Sequence, residues 1–510
     1  MDSKKVSSGV AVFMAISAIG KIMGLLRDRQ QAIHFGAHTA ESIAFAQASV
    51  LPRNFFDIMF SAAFTASLIP VFVTCLQQKG KEPAYNLAGL FMLVLTFFTV
   101  LLAGLGILLA GPIFHLSLGG GELPYGTTYL GVSLLRIMFP IMILSGLAFS
   151  FAGVLQALGE FRVTAAMSVV SNGIILAYYL FFLERFGIYG LAVSFLLGFT
   201  AQVLIQVPFL AKHKFKFRLR LNLGDPGLRQ MWALALPALA ATWVIPVNVL
   251  INARAAAPLY GGQYGVNAIY YANTLFAIIS GLFVMAVANV IFPKLARHSA
   301  SDDADGFSDT LLATVRAILF VLIPLTVLMA TLSGQIVGFI FGGGLFGERA
   351  VEITATALTH FAPGIVGYGL MIILSRACYA LHDAKTPLVA AIVAIGVNGV
   401  LSFVLAPAML VAGPALANAI GSTIGAAVLV IALKSVILWN KNLVMDIAKM
   451  LAAGGLVIAA IRFVGGLLQG FGMIFQLFVP AAIGCLLYLV VTYFLRLDEA
   501  VWARGFLRIR

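Results

Sequence analysis

Residues 85–115 read YNLAGLFMLVLTFFTVLLAGLGILLAGPIFH, a run of 31 residues without Asp, Glu, Lys or Arg. A helix of about 20 residues crosses the hydrocarbon core of a bilayer, which is roughly 30 Å thick. Strands of a membrane barrel are about ten residues long and alternate in polarity, which this run does not. The run therefore predicts a membrane-spanning helix.

Similar runs follow one another through the whole chain of 510 residues, which is 61% hydrophobic and only 10% charged. Soluble proteins carry about 25% charged residues because their surfaces face water. Hydropathy therefore predicts an all-α integral membrane protein of about fourteen transmembrane helices. The predicted spans are 7–35, 43–76, 85–115, 127–157, 163–184, 187–211, 230–256, 265–293, 310–341, 353–381, 387–406, 412–434, 447–465 and 474–495.

The net charge of +13 is distributed unevenly between the two sides of these spans. Most of the Lys and Arg residues outside the predicted spans fall at the N-terminus, in the loops 77–84 and 212–229, and at the C-terminus, which all share one side. The opposite loops contain few, such as Arg185 and Arg349. Because cytoplasmic loops are enriched in basic residues, both termini are predicted to be cytoplasmic. This asymmetry explains the charge without a nucleic-acid partner.

Two halves of the chain correspond at an offset of 223 residues, which predicts an internal repeat. Six spans separate equivalent positions, so the halves have the same orientation and form two parallel six-helix lobes around a central cavity. The corresponding positions include Pro70 and Pro293, Pro140 and Pro363, Ala157-Leu158 and Ala380-Leu381, and Gly198 and Gly421. The predicted divisions are an N-terminal lobe (1–211), a basic cytoplasmic linker (212–229), a C-terminal lobe (230–436), and two extra helices with a cytoplasmic tail (437–510).

Basic residues inside the predicted spans indicate a functional site, because charges at membrane depth are costly. We expect an anion such as a diphosphate or a carboxylate, since the arginine fork binds oxygens bidentately. The main candidates are Lys21, Arg27, Arg53 and Arg254, and the secondary candidates include Asp28, Glu41, Asp57, Arg136 and Arg376. The alternative interpretation is structural, with Arg27 and Asp28 as an internal ion pair and long side chains reaching water at helix ends.

The first helix concentrates several of these features on one side. Gly20, Gly24 and Arg27 follow one another at spacings of four and three residues, with Lys21 and Asp28 beside them. We expect this strip to face the other lobe or a water-filled cavity rather than lipid. Pro52, next to Arg53, predicts a break in the second helix.

The sequence contains no GxSxG, Walker A, HExxH or CxxC arrangement, so we expect a transporter rather than a membrane-embedded enzyme. No cofactor or metal is expected, and coupling to Na⁺ or H⁺ stays open. The charged candidates alone indicate transport of an amphipathic anion.

Several short motifs resemble the MurJ (MviN) family of the multidrug/oligosaccharidyl-lipid/polysaccharide (MOP) exporter superfamily, and the likeness covers essentially the whole chain. The motifs are Gly24-Leu-Leu-Arg27-Asp28, Phe35-Gly36-Ala37, Leu51-Pro52, Ala63-Phe64 to Pro70-Val71, Leu134 to Pro140, Tyr270-Tyr271-Ala272 and Lys385-Thr386-Pro387. The resemblance implies a flippase for lipid II, the undecaprenyl-diphosphate-linked precursor of peptidoglycan, in the bacterial inner membrane. It also implies a role in cell-wall biogenesis and cell shape. The alternative is export of another polyprenyl-linked saccharide or amphiphilic small molecule.

The sequence departs from the family pattern at several cavity positions. Lys21 replaces an arginine, and the arginine usual on the second helix aligns with Phe56, three residues after Arg53. Asn273, followed by Thr274, replaces an acid–arginine pair, so we expect Arg254 to supply a cation in the second lobe. Glu41 approximates an acid of the cavity. The chain is expected to act as a monomer among membrane lipids.

Overall fold

The computed structural model describes residues 3–55, 67–118, 123–215, 224–242, 244–436, 441–497 and 499. Within these ranges the chain is helical almost throughout, and its β-pairing is confined to an isolated bridge between Gly343 and Phe346. The predicted all-α class is confirmed. The chain divides into two compact units, Met1–Leu250 and Ile251–Arg510, which are described separately.

The helices are numbered here in chain order. The first unit contains α1 (Ser3–Phe35), α2 (Ala40–Ser49), α3 (Ile69–Lys79), α4 (Lys81–Leu108), α5 (Ala110–Leu118), α6 (Thr127–Met138), α7 (Ile141–Ala157), α8 (Phe161–Phe181), α9 (Leu183–Leu204), α10 (Val207–Lys212) and α11 (Pro226–Thr242). Helix α12 (Val244–Ala256) includes the boundary, and the second unit continues with α13 (Gly265–Ala300), α14 (Ala304–Thr331), α15 (Ser333–Phe341), α16 (Glu348–Phe361), α17 (Gly364–Ala380), α18 (Lys385–Met409), α19 (Ala412–Ala432), α20 (Lys441–Leu467) and α21 (Met473–Phe494).

Ten helices or helix pairs among the described residues are long and apolar enough to cross a membrane. The pair α16–α17 makes an eleventh span if it is counted as one, with a bend of 45° between its two helices. Of the other predicted spans, 43–76 and 230–256 extend beyond the described residues, and 7–35 coincides with α1. The count of fourteen stays a prediction.

The internal repeat is visible in the helix boundaries. The bounds of α4, α5 and α7 recur 223 residues later as those of α14, α15 and α17, at both ends of each helix. Pro140 precedes α7, and Pro363 precedes α17. Three helix pairs with identical spacing confirm the predicted offset.

The turns that end α7 and α17 also share one backbone geometry. The amide N–H of Glu160 donates to the Leu155 carbonyl at 2.8 Å, and that of Asp383 donates to the Cys378 carbonyl at 2.9 Å. The residue before each amide is left-handed, with φ of 88° at Gly159 and 61° at His382. This is the Schellman C-cap, in which glycine is preferred because it has no Cβ. The repeat therefore keeps the turn even where the residue has changed.

The boundary between the compact units lies after Leu250, later than the predicted linker 212–229. Helix α11 belongs to the first unit, where the Trp232 ring lies 5.6 Å from the Phe91 ring of α4. The division into functional lobes stays a prediction.

The last two helices, α20 and α21, pack against α14 within the second unit. Arg316 of α14 pairs with Asp446 of α20 at 3.3 Å between Nε and Oδ2. The Phe320 and Tyr488 rings of α14 and α21 lie 5.4 Å apart between centroids. These contacts attach the additional helices to α14 by charge and by aromatic packing.

Helices α18 and α19 approach each other closely at Gly421. A Cβ atom added to Gly421 would lie 2.6 Å from the Ala394 carbonyl oxygen, which is backbone and has little freedom to move. Small residues allow such close approach of helices in membranes, where van der Waals packing is a main source of helix association.

We expect the Gly421→Ala variant to lose about 1–3 kcal/mol of unfolding free energy, because the added methyl group forces these two backbones apart. Thermal unfolding of the detergent-solubilised protein would measure the loss. Gly396→Ala on α18 is the matched control, since a Cβ there has open space around it. Equal unfolding midpoints for the two variants would contradict this account of the packing.

Candidate functional site

The first unit contains a buried ion pair between neighbouring residues of α1. Arg27 donates to the Oδ1 atom of Asp28 from Nη2 at 2.7 Å and from Nε at 2.9 Å. The exposed fractions of the two residues are 7% and 4%. The internal ion pair between Arg27 and Asp28, which the structural interpretation predicted, is therefore confirmed. Removing one partner of such a buried pair is costly, because the remaining charge is left uncompensated.

Helix α8 supplies a third member of this site, Asn172. Arg27 Nη1 donates to Asn172 Oδ1 at 2.7 Å, and the Asn172 amide donates to the Gly20 carbonyl at 3.1 Å. The Asn172 side chain is also buried. One asparagine thus fixes the guanidinium and the backbone of α1 at the same time.

This contact corrects the expected environment of the glycine strip on α1. A Cβ at Gly20 would lie 3.0 Å from the Ser168 Cβ, and one at Gly24 would lie 3.5 Å from Asn172 Nδ2. Both glycines therefore pack on α8 of the same unit, and the expectation that they face the other lobe or a cavity is wrong. Their small size allows α8 to approach the backbone of α1.

The predicted break in the second helix is confirmed. The α-helical hydrogen bonding of α2 ends at Ser49, and residues Val50–Phe55 form a short π-helix, called the π-turn below. Arg53 lies in this π-turn, directly after Pro52. Proline removes one backbone donor and disfavours the α-helical geometry of the residues before it. Such π-turns occur often at functional sites.

Arg27 and Arg53 meet on one aromatic ring. Their guanidinium carbons lie 5.4 and 5.2 Å from the centroid of Phe195, which is on α9 and fully buried. A cation over an aromatic face is stabilised by about 0.5–2 kcal/mol, and the larger values apply where water is excluded. Phe45 of α2 packs against the same ring edge to face, with centroids 5.3 Å apart.

The structure therefore brings together three of the predicted site residues, Arg27, Asp28 and Arg53. Together they carry one net positive charge in a largely buried position. Asp57 lies outside the described residues. Lys21, Glu41 and Arg136 are exposed residues on α1, α2 and α6.

The candidates of the second unit lie on three different helices. Arg254 is exposed in the last turn of α12, and Asn273 is half-buried on α13. Arg376 of α17 is half-buried, and its guanidinium carbon lies 5.8 Å from the centroid of the Phe292 ring. The roles of these three residues in binding stay predictions.

The second unit repeats the polar contact of Asn172 without its charge. Asn398 of α18 donates from Nδ2 to the Oδ1 atom of Asn252 at 3.0 Å, and the Ser402 hydroxyl donates to the same oxygen at 3.1 Å. All three residues are buried. Equivalent asparagines thus tie equivalent helices, through a guanidinium in the first unit and through the neutral Asn252 amide in the second.

Two residues of the charged site, Asn172 and Phe195, were not among the sequence candidates. Asn172-Gly173 does match Asn398-Gly399 in the repeat, and this match was an available signal for Asn172. Phe195 gave none, since it is one of 40 phenylalanines in an apolar chain. The described residues contain no group of three or more His, Cys, Asp or Glu residues that could hold a metal.

We expect Arg27→Met and Asp28→Leu to destabilise the protein more as single variants than their combination does, because each single variant leaves a buried polar partner unpaired. Unfolding midpoints of the wild type, both single variants and the double variant would give a coupling of about 1–3 kcal/mol. The exposed pair Arg349–Glu352, with 2.8 Å between Nη1 and Oε2, is the control and should show coupling near zero. Additive effects at Arg27 and Asp28 would refute the argument.

Solved structures of known proteins share this fold. A structure titled "Lipid II flippase MurJ, inward closed conformation" matches with a TM-score of 0.79 at 22% identity, covering 98% of this chain and 100% of that chain. An inward-facing multidrug resistance MATE family transporter of the MOP superfamily matches with a TM-score of 0.72 at 13% identity, covering 83% and 97%. At sequence identities of 22% and 13%, these matches show that the fold is shared, and they show nothing about function.

Relatives in sequence carry the same family name. A probable lipid II flippase MurJ of Vibrio cholerae serotype O1 is 28% identical over 470 residues, which are 90% of this chain and 89% of the relative. The lipid II flippase MurJ of Burkholderia cenocepacia is 26% identical over 422 residues, covering 82% and 81%. The family described as "Lipid II flippase MurJ" matches residues 32–484. Because this match includes most of the sequence, the chain belongs to the lipid II flippase MurJ family.

Proposed function

We propose that a single copy of this chain moves lipid II, the lipid-linked peptidoglycan precursor, from the inner to the outer leaflet by alternating access. The observation that carries the proposal is the pair of guanidiniums on Phe195, accompanied by one carboxylate. The names of the relatives agree with this substrate, and they describe a transporter rather than an enzyme. A single copy suffices in this proposal because both halves of the repeat lie in one chain.

The substrate must bring a diphosphate across a region of low dielectric constant. An unpaired anion in that region is costly, whereas arginine stays charged and binds phosphate oxygens through two parallel N–H donors. In this proposal Arg27 and Arg53 each bind one phosphate of the diphosphate. Their own charge supplies what binding needs, so no cofactor enters the proposal. Coupling of the cycle to Na⁺ or H⁺ is left open.

The alternative substrate, another polyprenyl-linked saccharide or amphiphile, is less favoured. The multidrug transporter neighbours are 13% identical and share only the fold, whereas the curated relatives over most of the chain are named lipid II flippases.

A bacterial strain depleted of its own lipid II flippase and supplied with the wild-type gene distinguishes the two. Rescue of growth supports lipid II. Absence of rescue, despite normal protein in the membrane, would favour the alternative.

We expect Arg27→Gln and Arg53→Gln to abolish that rescue, because each removes one cation from the proposed diphosphate site. The lysine variants should keep partial activity, since they retain the charge and lose the fork. Arg185→Gln is the control, because Arg185 is an exposed arginine of α9 outside the predicted site, and its guanidinium carbon lies 5.5 Å from the centroid of the Phe186 ring. Immunoblots of purified membranes check that every variant is inserted. Normal rescue by both glutamine variants would refute the site.

We propose that the chain lies in the bacterial inner membrane with both termini in the cytoplasm, on the basis of its sorted Lys and Arg residues. We expect green fluorescent protein fused after Arg510 to fluoresce and alkaline phosphatase fused there to be inactive. Alkaline phosphatase fused after Phe346, in a loop predicted to lie outside, should be active. The opposite pattern would reverse the orientation and place the basic loops outside.

A further inference from the structure

The guanidinium of Arg27 is held by hydrogen bonds at two points, which come from different helices. Its Nε and Nη2 atoms both donate to one atom, Asp28 Oδ1, at 2.9 and 2.7 Å. A guanidinium edge that meets two oxygens is fixed in its plane, whereas an edge that meets a single oxygen can still turn about it. The bond of 2.7 Å from Nη1 to Asn172 Oδ1 adds a second point, on α8. The two points together determine how the guanidinium is oriented.

The side-chain amide of Asn172 is itself held in place. Its Nδ2 atom donates to the Gly20 carbonyl of α1 at 3.1 Å and to the Ser168 hydroxyl of α8 at 3.2 Å. Because an amide nitrogen has two N–H donors, both are used, and Oδ1 is the atom that receives Arg27. Asn172 is only 4% exposed, and hydrogen bonds are stronger where water is excluded. The oxygen that receives Arg27 therefore has a fixed position.

The amide at position 172 orients Arg27 without adding charge. Arg27 and Asp28 already form a neutral pair, with 2.7 Å between Nη2 and Oδ1. A carboxylate at position 172 would give these three residues one net negative charge, and repulsion between like charges is strong where water is excluded. Asparagine has nearly the shape of aspartate but not its charge. It therefore suits a site in which an arginine is oriented and an anion is not repelled.

Arg27 keeps hydrogen-bond donors that a ligand can use. An arginine has five N–H groups, and the bonds to Asp28 and Asn172 occupy three of them. Within the described part of the chain, one N–H of Nη1 and one N–H of Nη2 stay available. Charge-assisted bonds from such groups to phosphate oxygens are among the stronger hydrogen bonds in proteins. The direction of these two groups depends on the orientation of the guanidinium.

We propose that Asn172 is a positioning residue, which orients Arg27 so that its two remaining N–H groups bind a phosphate group of the substrate. This inference rests on the proposed function, because that function makes Arg27 a ligand of the diphosphate. Asn172 acts through Arg27 and does not itself bind the phosphate. Its equivalent in the repeat, Asn398, ties α18 to α12 through the neutral Asn252 amide at 3.0 Å. The two asparagines therefore share a role in packing, and Asn172 has a role in binding as well.

The affinity for undecaprenyl diphosphate, measured in detergent, tests this role. We expect Asn172→Leu to lower that affinity about three- to tenfold, because the orientation of Arg27 is lost. Affinity for undecaprenol, which has the same chain and no phosphate, should not change. Asn172→Ser has a shorter side chain than the wild type, and it should show a loss in the same direction if leucine prevents folding. Unchanged affinity for the diphosphate in the folded variants would overturn the inference.

Asn398→Leu is the matched control. Asn398 is buried like Asn172, and its side chain ties the equivalent pair of helices. We expect both leucine variants to unfold at a lower temperature than the wild type, because each leaves a buried polar partner unpaired. Affinity for undecaprenyl diphosphate should fall at Asn172 and stay unchanged at Asn398. Equal losses of affinity at the two positions would show that only packing is involved, and the positioning role would be wrong.

Combination with Arg27→Gln separates failure of this inference from failure of the proposed function. In the Arg27→Gln background, Asn172→Leu should cause no further loss of affinity, because the asparagine acts through the arginine. Additive losses would contradict the positioning role. If Arg27→Gln loses affinity whereas Asn172→Leu alone does not, only the role of Asn172 falls. If Arg27→Gln binds undecaprenyl diphosphate as the wild type does, the proposed function of the site falls as well.

Discussion

A guanidinium inside a membrane-spanning bundle must be compensated by charge and hydrogen bonds close to it, and much of the first unit follows from that constraint. Asp28 compensates the charge of Arg27 from the next position of the same helix. Asn172 takes a further N–H, which requires α8 to lie close to α1, and that approach in turn requires glycine at position 20. The sequence of α1 therefore reflects two demands, one from charge and one from packing.

Comparison of the two halves of the repeat distinguishes the helix arrangement that they share from the charged residues that differ between them. Helix boundaries and the C-cap turns at Gly159 and His382 recur in both halves, and so does the asparagine that ties the fifth predicted helix of each half to its first. At that tie the first unit has Arg27 and Asp28, whereas the second has the neutral Asn252. Since the same backbone accepts both, the fold itself does not require a charge there. The charge of the first unit therefore comes from its own residues, Arg27 and Asp28, and not from the helix arrangement that the two halves share.

The helices and the repeat could be predicted from the sequence, because both depend on the order of residues along the chain. Residues of similar size and polarity recur at one offset, and helix ends follow from Gly and Pro. The partner of a helix face is different, since a helical wheel shows that Gly20 and Gly24 share a side but not what they meet. Phe195 lies further still from prediction, because the two arginines that contact its ring are far from it in the chain and reach it only through the fold.

The position of Arg53 depends on the change of helix type after Ser49. In an uninterrupted α-helix, Arg53 would point about 80° away from Phe45, eight residues earlier. Both side chains nevertheless contact the ring of Phe195. A π-turn uses more residues per turn than an α-helix, so it reduces this rotation and brings position 53 back toward the side of position 45. Proline at position 52 disfavours the regular helix at the point where the wider turn is needed. The break in the second helix is thus the local feature that adds a second cation to the ring, and it explains how an arginine three residues before the usual family position still reaches the site.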